Sequence, residues 1–330
     1  MRAFQVEARE RARARPRTVV LPEGGDPRTW AAVAEMVVDR LVRPVVLGVP
    51  AEVARGLESA GVDPDEVRIE DPDDERREAF ATTLLERRRH KGMTPDEAFR
   101  WAGDPLVRGA LMVRAGEVDA SVAGATHPTG DVIRAALWCV GPDEGIETVS
   151  STFYMVVDDF RGRGEEVLSF TDSAVVPDPT PGQLADIAVA SCRARRRIVG
   201  DEPKVAFMSY STRGSARGPM IDKMLEGLEL FRAKMPDVPA DGELQGDAAL
   251  IPEVGASKAP GSPVAGHANV LVFPDLDAGN LAYKLVQRLA GATAIGPLVQ
   301  GLARPCNDLS RGATPSDIVE VACLASLMAE

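Results

Sequence analysis

The stretch Thr18-Val19-Val20-Leu21-Pro22-Glu23-Gly24-Gly25-Asp26-Pro27-Arg28 decides the fold class, because a short apolar run gives way within a few residues to a helix start. Residues 18–22 read as a strand. Asp26 before Pro27 reads as an N-cap with proline at the first helical position. Outward from this unit the pattern repeats. Residues 44–48, 67–69 and 120–125 are short apolar runs, and 27–41, 76–89 and 105–116 are helical in pattern. Thr94-Pro95 with Glu97, and Asp104-Pro105, repeat the cap-then-proline start. Strands alternating with helices predict an α/β fold, a parallel sheet covered by helices.

The composition turns polar at residues 142–145, and a second alternating unit begins. Residues 152–157 and 166–170 read as a strand pair joined across a tip at 158–164. Thr180-Pro181 with Gln183 opens a long helix to residue 197. Residues 204–210 and 269–274 read as strands, and 278–289 as an amphipathic helix. A chain of 330 residues exceeds one ordinary core and predicts two α/β domains, with a cleft between them as the default site.

Composition narrows the function classes. The chain is 45% hydrophobic but has no apolar run long enough to span a bilayer, and its Arg- and Glu-rich start is unlike a secretion signal, so a cytoplasmic protein is expected. The four cysteines (139, 192, 306, 323) form no C-x-x-C, which predicts reduced thiols in or near the core rather than a zinc site or disulfide framework. A formal charge of −12 argues against nonspecific nucleic-acid binding; an anionic small substrate would need arginines gathered locally. Dinucleotide, P-loop, zinc-protease and nucleophile-elbow motifs are all missing from the sequence.

The richest candidate stretch is Pro305-Cys306-Asn307-Asp308-Leu309-Ser310-Arg311-Gly312-Ala313-Thr314-Pro315-Ser316-Asp317. Thr314-Pro315 starts a helix with Asp317 at its third position. A hydroxyl (Ser310) and a guanidinium (Arg311) lie in the loop before it, where a helix terminus also attracts phosphate. Alone, this stretch reads as a capping-box variant with a solvated arginine. Arg28 follows the carboxyl end of a strand, where open α/β sheets bind ligands. Arg88 lies in Arg87-Arg88-Arg89-His90-Lys91-Gly92 at a helix end, and Arg134 follows the turn-rich loop 124–131. His127 reads as a loop histidine bonded to backbone rather than an acid or base. Asp241, Glu243 and Asp247 offer oxygen ligands to a divalent cation, but read as loop carboxylates capping the following helix.

Two blocks change the weight of these readings. One is 204–216; the other runs from Asp241-Gly242-Glu243-Leu244-Gln245 through 256–266, Phe273-Pro274-Asp275-Leu276 and Gly279-Asn280 to Asn307-Asp308-Leu309-Ser310-Arg311-Gly312. Together they closely resemble the phosphate acetyltransferases of the phosphate acetyl/butyryltransferase family, with weaker signals at Pro22-Glu23, Arg88-Arg89-His90-Lys91-Gly92 and 124–134. The resemblance implies an enzyme that moves an acetyl group between acetyl-CoA and inorganic phosphate, giving acetyl phosphate and CoA, with no metal and no covalent cofactor. It implies a fold similar to the isocitrate and isopropylmalate dehydrogenases: residues 1–144 with 297–330 as the first domain, 145–296 as the second, and a homodimer paired through the second. By motif position Ser310, Arg311 and Asp317 fall on the catalytic residues, Arg88 and Arg134 on the phosphate side, and Arg28 near the coenzyme. Arg89 stands where the family tends to lysine, and the 158–164 tip diverges. A phosphate butyryltransferase, or a non-catalytic acetyl-CoA sensor like the regulatory domains of malic enzymes, remains an alternative. The chemistry suits the residues: a carboxylate base raises the reactive thiolate fraction of CoA, and arginines receive phosphate bidentately where lysine acts as a point charge.

Overall fold

Cap residues set the helix starts as the sequence predicts. Asp26, Thr94, Asp104, Thr180 and Thr314 each accept a hydrogen bond from a backbone N–H of the first turn, and Thr94, Thr180 and Thr314 form full capping boxes. The computed structural model describes residues 1–329. Its chain divides into two compact units: residue 1 with 5–143 and Leu302 onward, and residues 2–4 with 144–301.

In the first unit α1 (Ala3–Ala14) leads into β1 (Thr18–Leu21), α2 (Pro27–Val38), β2 (Arg43–Leu47), α3 (Pro50–Ser59) and β3 (Arg68–Glu70). Then come α4 (Arg77–Arg88), α5 (Pro95–Ala102), α6 (Pro105–Ala115), β4 (Ala120–Ala123) and α7 (Thr129–Cys139).

The second unit holds β5 (Ser150–Val157), β6 (Glu166–Thr171), α8 (Pro181–Ile198), β7 (Val205–Met208), α9 (Pro219–Lys234) and β8 (Ala240–Leu244). It continues through α10 (Gly246–Leu250), α11 (Pro252–Lys258), β9 (Val270–Val272), α12 (Leu276–Leu289) and β10 (Thr293–Gln300). The chain then returns to the first unit with β11 (Cys306–Asp308) and α13 (Pro315–Met328).

The first sheet has order β11-β4-β1-β2-β3, and every neighbouring pair is parallel. From β1 the chain winds outward to β2 and β3, then crosses back to place β4 on the other side of β1. Strand order therefore reverses between β1 and β4, and the loops leaving their carboxyl ends form the crevice that open α/β sheets use for ligands. The last helix is part of this core: residues 318–327 of α13 are all buried, mostly apolar, with Glu320 and Ser326 as the polar exceptions. Each such Val, Ile or Leu contributes roughly 1.5–3 kcal/mol by burial. Arg9 adds register, donating Nε to Glu320 at 2.7 Å and Nη1 to Glu35 at 2.6 Å, so α1, α2 and α13 share one ionic knot.

The second unit is a mixed sheet, order β10-β5-β6-β9-β7-β8. β5 pairs antiparallel with β6 and with β10, while β6, β9, β7 and β8 run parallel. Because β10 pairs along β5 from Thr293 to Gln300, this unit runs to Gly301 and not to 296, where the sequence suggests the crossing. The reading of Asp241 and Glu243 as loop carboxylates is corrected too: both lie buried in β8. Asp241 accepts from Arg213 Nη2 at 2.5 Å, and Glu243 Oε1 accepts from Ser211 Oγ at 2.8 Å and Gly214 N at 2.7 Å. Asp247, in the first turn of α10, pairs with Lys258 at 2.7 Å. Among the described residues no group of three His, Cys, Asp or Glu is placed to hold a metal ion, and no helix is long and apolar enough to cross a membrane. All four cysteines are buried and unpaired.

Candidate active site

The loop after β1 turns sharply because Gly24 lies against β2: a Cβ there would sit 2.2 Å from the Leu47 carbonyl oxygen. This brings Glu23 to the strand-order reversal. Only 7% exposed, its carboxylate accepts from the backbone N–H groups of Gly124 (3.0 Å), Ala125 (2.8 Å), Thr126 (2.8 Å) and His127 (3.1 Å). Thr126 Oγ1 donates to it at 2.7 Å, and His127 Nδ1 lies 2.8 Å away. Burial pushes this carboxyl up, yet the His127, Thr126 and Ala125 hydrogen bonds outweigh it and hold Glu23 below the usual range. The histidine thus bonds a buried carboxylate rather than backbone.

Arg28 crosses from this loop to the next. Its Nε and Nη2 bind Asp26, Nη2 also reaches Ala125 O at 2.8 Å, and Nη1 donates to Arg311 O at 2.8 Å and Ala313 O at 3.0 Å. A guanidinium has five N–H donors, and all are taken. Arg28 is a strut that fixes the Ser310–Thr314 loop against the 124–127 loop; it has no donor left for a coenzyme phosphate.

Ser310 and Arg311 lie on that strutted loop and Asp317 at the start of α13; all three are exposed. Ser310 Oγ accepts from Gly312 N at 3.3 Å. Asp317 Oδ2 accepts from Thr314 N and from Thr314 Oγ1, both at 2.8 Å, so one carboxylate oxygen closes the capping box and Oδ1 has no protein partner among the described residues. The box read from the sequence is present, and it does not consume the whole carboxylate.

The other two predicted arginines meet on an aromatic platform. Arg88 stacks over Trp138 at 5.3 Å from the ring centre, and Arg134 lies 5.6 Å from both Trp138 and Trp101, whose rings meet edge-on at 5.4 Å. Arg134 pairs with Asp131 at 2.9 Å, one turn away, and Arg88 Nε is buried with no hydrogen-bond partner among the described residues. Two hollows adjoin these groups and share His127. One, of about 700 Å³, is lined by the loop from Pro22 to Arg28 with Gly48 and Thr126; the other, of about 170 Å³, by Trp101, Asp104, Asp131 and Arg134. The first has the size of a small-molecule site. The second equals the share of about six liquid waters, enough for a phosphate. Ser310 and Asp317 line neither hollow. The candidates thus fall into two groups, one on Trp138 and one at the mouth of α13, linked through the loop that Arg28 holds.

Asp308, at the end of β11, belongs to the candidate stretch but is assigned no role by the sequence reading. A Cβ on Gly124, whose φ is +113°, would come within 2.3 Å of Asp308 Oδ1. Oδ1 has no partner among the described residues, while Oδ2 accepts from Thr129 Oγ1 at 2.6 Å. Burial pushes this carboxyl up to about 7, against the Thr129 bond. Its folded value lies above its unfolded value, so its stability contribution is whole below the unfolded value of 3.8 and is lost as pH rises through about 7. Each pH unit in that window removes up to about 1.4 kcal/mol. Asp308→Asn should therefore lose less stability than the wild type between about pH 5 and about pH 7.5, measured as denaturant midpoints. Equal losses in the two proteins would remove this assignment.

A two-unit α/β chain with arginines and buried carboxylates at its strand-order reversal has the architecture of an α/β enzyme that binds an anionic ligand at strand ends. A putative 4-hydroxythreonine-4-phosphate dehydrogenase from Salmonella typhimurium shares the fold alone: TM-score 0.54 and 13% identity, over 95% of this chain and 99% of that one. A phosphotransacetylase from Streptococcus pyogenes superposes far better, with TM-score 0.94 and 37% identity over 100% of this chain and 98% of that one. A protein from Acetivibrio thermocellus named phosphate acetyltransferase is 43% identical over 329 residues, covering 99% of this chain and 98% of the relative. The family model described as phosphate acetyl/butaryl transferase matches residues 3–326. The chain belongs to this family of acyltransferase enzymes.

Proposed function

We propose that the chain is a phosphate acetyltransferase, moving an acetyl group reversibly between coenzyme A and inorganic phosphate. The observation that carries this reading is the Trp138 platform: two guanidiniums on one indole, one with a buried unpartnered donor, beside a hollow of phosphate size. Arginine forks bind phosphate bidentately, and gathering them locally answers the problem of an anionic substrate on an acidic chain. The full-length relative named phosphate acetyltransferase supports acetyl as the acyl group.

In this reading Asp317 Oδ1 takes the proton of the CoA thiol, and the sulfur attacks the carbonyl carbon of acetyl phosphate. Charge that develops on the carbonyl oxygen meets the Ser310 hydroxyl and Arg311, a type of donor worth roughly 3–4 kcal/mol each. The phosphate leaves onto Arg88 and Arg134. Arg28 is a positioning residue. Arginines and oriented donors supply the charge stabilisation, so the reaction needs neither metal nor prosthetic group.

The test is acetyl-CoA formation from acetyl phosphate and CoA by EDTA-treated protein. A metal-free rate near that of untreated protein supports the reading. Activity restored only by a divalent ion sinks the metal-free mechanism. Thermal stabilisation by acetyl-CoA without turnover sinks the enzyme reading. A faster rate with butyryl phosphate moves the substrate to the longer acyl chain.

We further propose a homodimer paired through the second unit. Leu281, Leu285 and Leu289 of α12 are 60%, 55% and 82% exposed at i, i+4 spacing, an apolar stripe suited to a second copy of the same helix. Leu285→Glu should convert dimer to monomer by light scattering, and an unchanged mass would discard this face. Four buried unpaired thiols suit a reducing compartment such as the cytoplasm, which cell fractionation would check.

A further inference from the structure

The proposed chemistry leaves one proton without a carrier. When acetyl phosphate loses its acetyl group to a thiol, the C–O bond breaks and its electron pair stays on the phosphate oxygen, leaving a trianion that must gain a proton to become hydrogen phosphate. Asp317 removes a proton at the sulfur but does not line the hollow beside Arg134. His127 does, and it alone lines both hollows.

Its ring is held in one sense. The Glu23 carboxylate is acceptor-only when ionised, so the ring nitrogen facing it at 2.8 Å, Nδ1, carries a proton. Nε2 is then the nitrogen free to meet a ligand, and an imidazole can both give and take a proton near neutral pH. Glu23 already binds four backbone N–H groups of the 124–127 loop, so the ring is not needed to hold that loop. Arg28 fixes the same loop to the carbonyls of Arg311 and Ala313, so the imidazole has a set position relative to Ser310. The charged groups around it are Glu23 behind the ring, Asp26 and Arg28 across the larger hollow, Asp104 at the N-cap of α6, and Asp131 with its partner Arg134 on α7.

We propose that His127, oriented by the buried Glu23, is a further catalytic residue whose Nε2 contacts the phosphate and passes it a proton as the acetyl group leaves. This inference rests on the phosphate acetyltransferase reading. In thiolysis the thiol proton goes to Asp317, carbon–sulfur bonding replaces carbon–oxygen bonding, and imidazolium Nε2 protonates the departing phosphate. Solvent returns the proton from Asp317 to His127. In the reverse direction Nε2 removes the proton of hydrogen phosphate as its oxygen attacks acetyl-CoA.

Two variants separate contact from proton transfer. His127→Asn puts an amide N–H where Nδ1 was, keeping the Glu23 bond and deleting the distal nitrogen. His127→Gln puts an amide near the Nε2 position, keeping a donor that cannot titrate. H127N should lose about a hundredfold in kcat and raise KM for phosphate about tenfold; H127Q should lose kcat alike while recovering KM. The protein labelled with 13C at histidine Cε1 is titrated with inorganic phosphate, and the His127 signal, identified by its loss in H127N, should shift to saturation while that of His267 stays still. A kcat for H127N within about threefold of wild type would overturn the proposal, as would a His127 signal that does not move. If the signal shifts but the wild type makes no acetyl phosphate, the phosphate contact stands and the acetyl-transfer reading falls.

Discussion

Asp317→Asn should fold, keep its helix cap and lose at least about a hundredfold in kcat. The cap survives because the asparagine carbonyl can take the place of Oδ2 and accept the Thr314 N–H and O–H, both 2.8 Å from the carboxylate oxygen. What disappears is the charge on Oδ1, the only oxygen of this side chain with no protein partner among the described residues. Losing a carboxylate in the first turn costs about 0.3–1 kcal/mol of helix-dipole interaction, a Tm change of a few degrees at most. A structural role for Asp317 therefore predicts a small shift in Tm with kcat intact, and a catalytic role predicts the reverse. Near-wild-type turnover by a folded Asp317→Asn protein would remove the base from the mechanism. Ser310→Ala offers the matching control: among the described residues its Oγ bonds only Gly312 N, so stability should hardly move, while loss of one oxyanion donor lowers kcat by about 10²–10³.

The helix starts were legible because their signals are local. A cap residue, a proline and an acid or amide three positions after the cap specify Thr94, Thr180 and Thr314 within one turn. Helix α9 escaped notice because its N-cap is Gly218, which has no side chain to announce it. β8 escaped for a different reason. Ala240-Asp241-Gly242-Glu243-Leu244 has a poor strand composition, and its acids are tolerable only because Arg213, Arg232 and Ser211 meet them there. The same limit applies at the site. Ser310, Arg311 and Asp317 lie within eight positions and stand out as a motif. Glu23 and the N–H groups it binds are about a hundred residues apart, and no periodicity connects them. The saturation of Arg28 was equally invisible, because three of its acceptors are backbone carbonyls.

Arg88→Ala and Arg134→Ala should each raise KM for acetyl phosphate or inorganic phosphate by about ten- to a hundredfold, from a loss of roughly 1.5–3 kcal/mol per charge-assisted contact. KM for CoA should change far less, because neither arginine touches the loop that carries Ser310. Lysine at either position keeps the charge but forfeits both the fork and the stacking on the indole, so Arg88→Lys should recover only part of the loss. The platform supplies a further test. Trp138 holds both guanidiniums, at 5.3 and 5.6 Å, and a cation–π contact is worth about 0.5–2 kcal/mol depending on exposure. Trp138→Leu leaves both charges present but unoriented, so KM for phosphate should rise by about two- to thirtyfold with the CoA value held. Combining Trp138→Leu with Arg134→Ala should cost less than the sum of the separate effects, since the two residues act through one contact. Strict additivity would mean that the indole and the guanidinium work independently, and a parallel rise in KM for both substrates would take the phosphate role away from this pair of arginines.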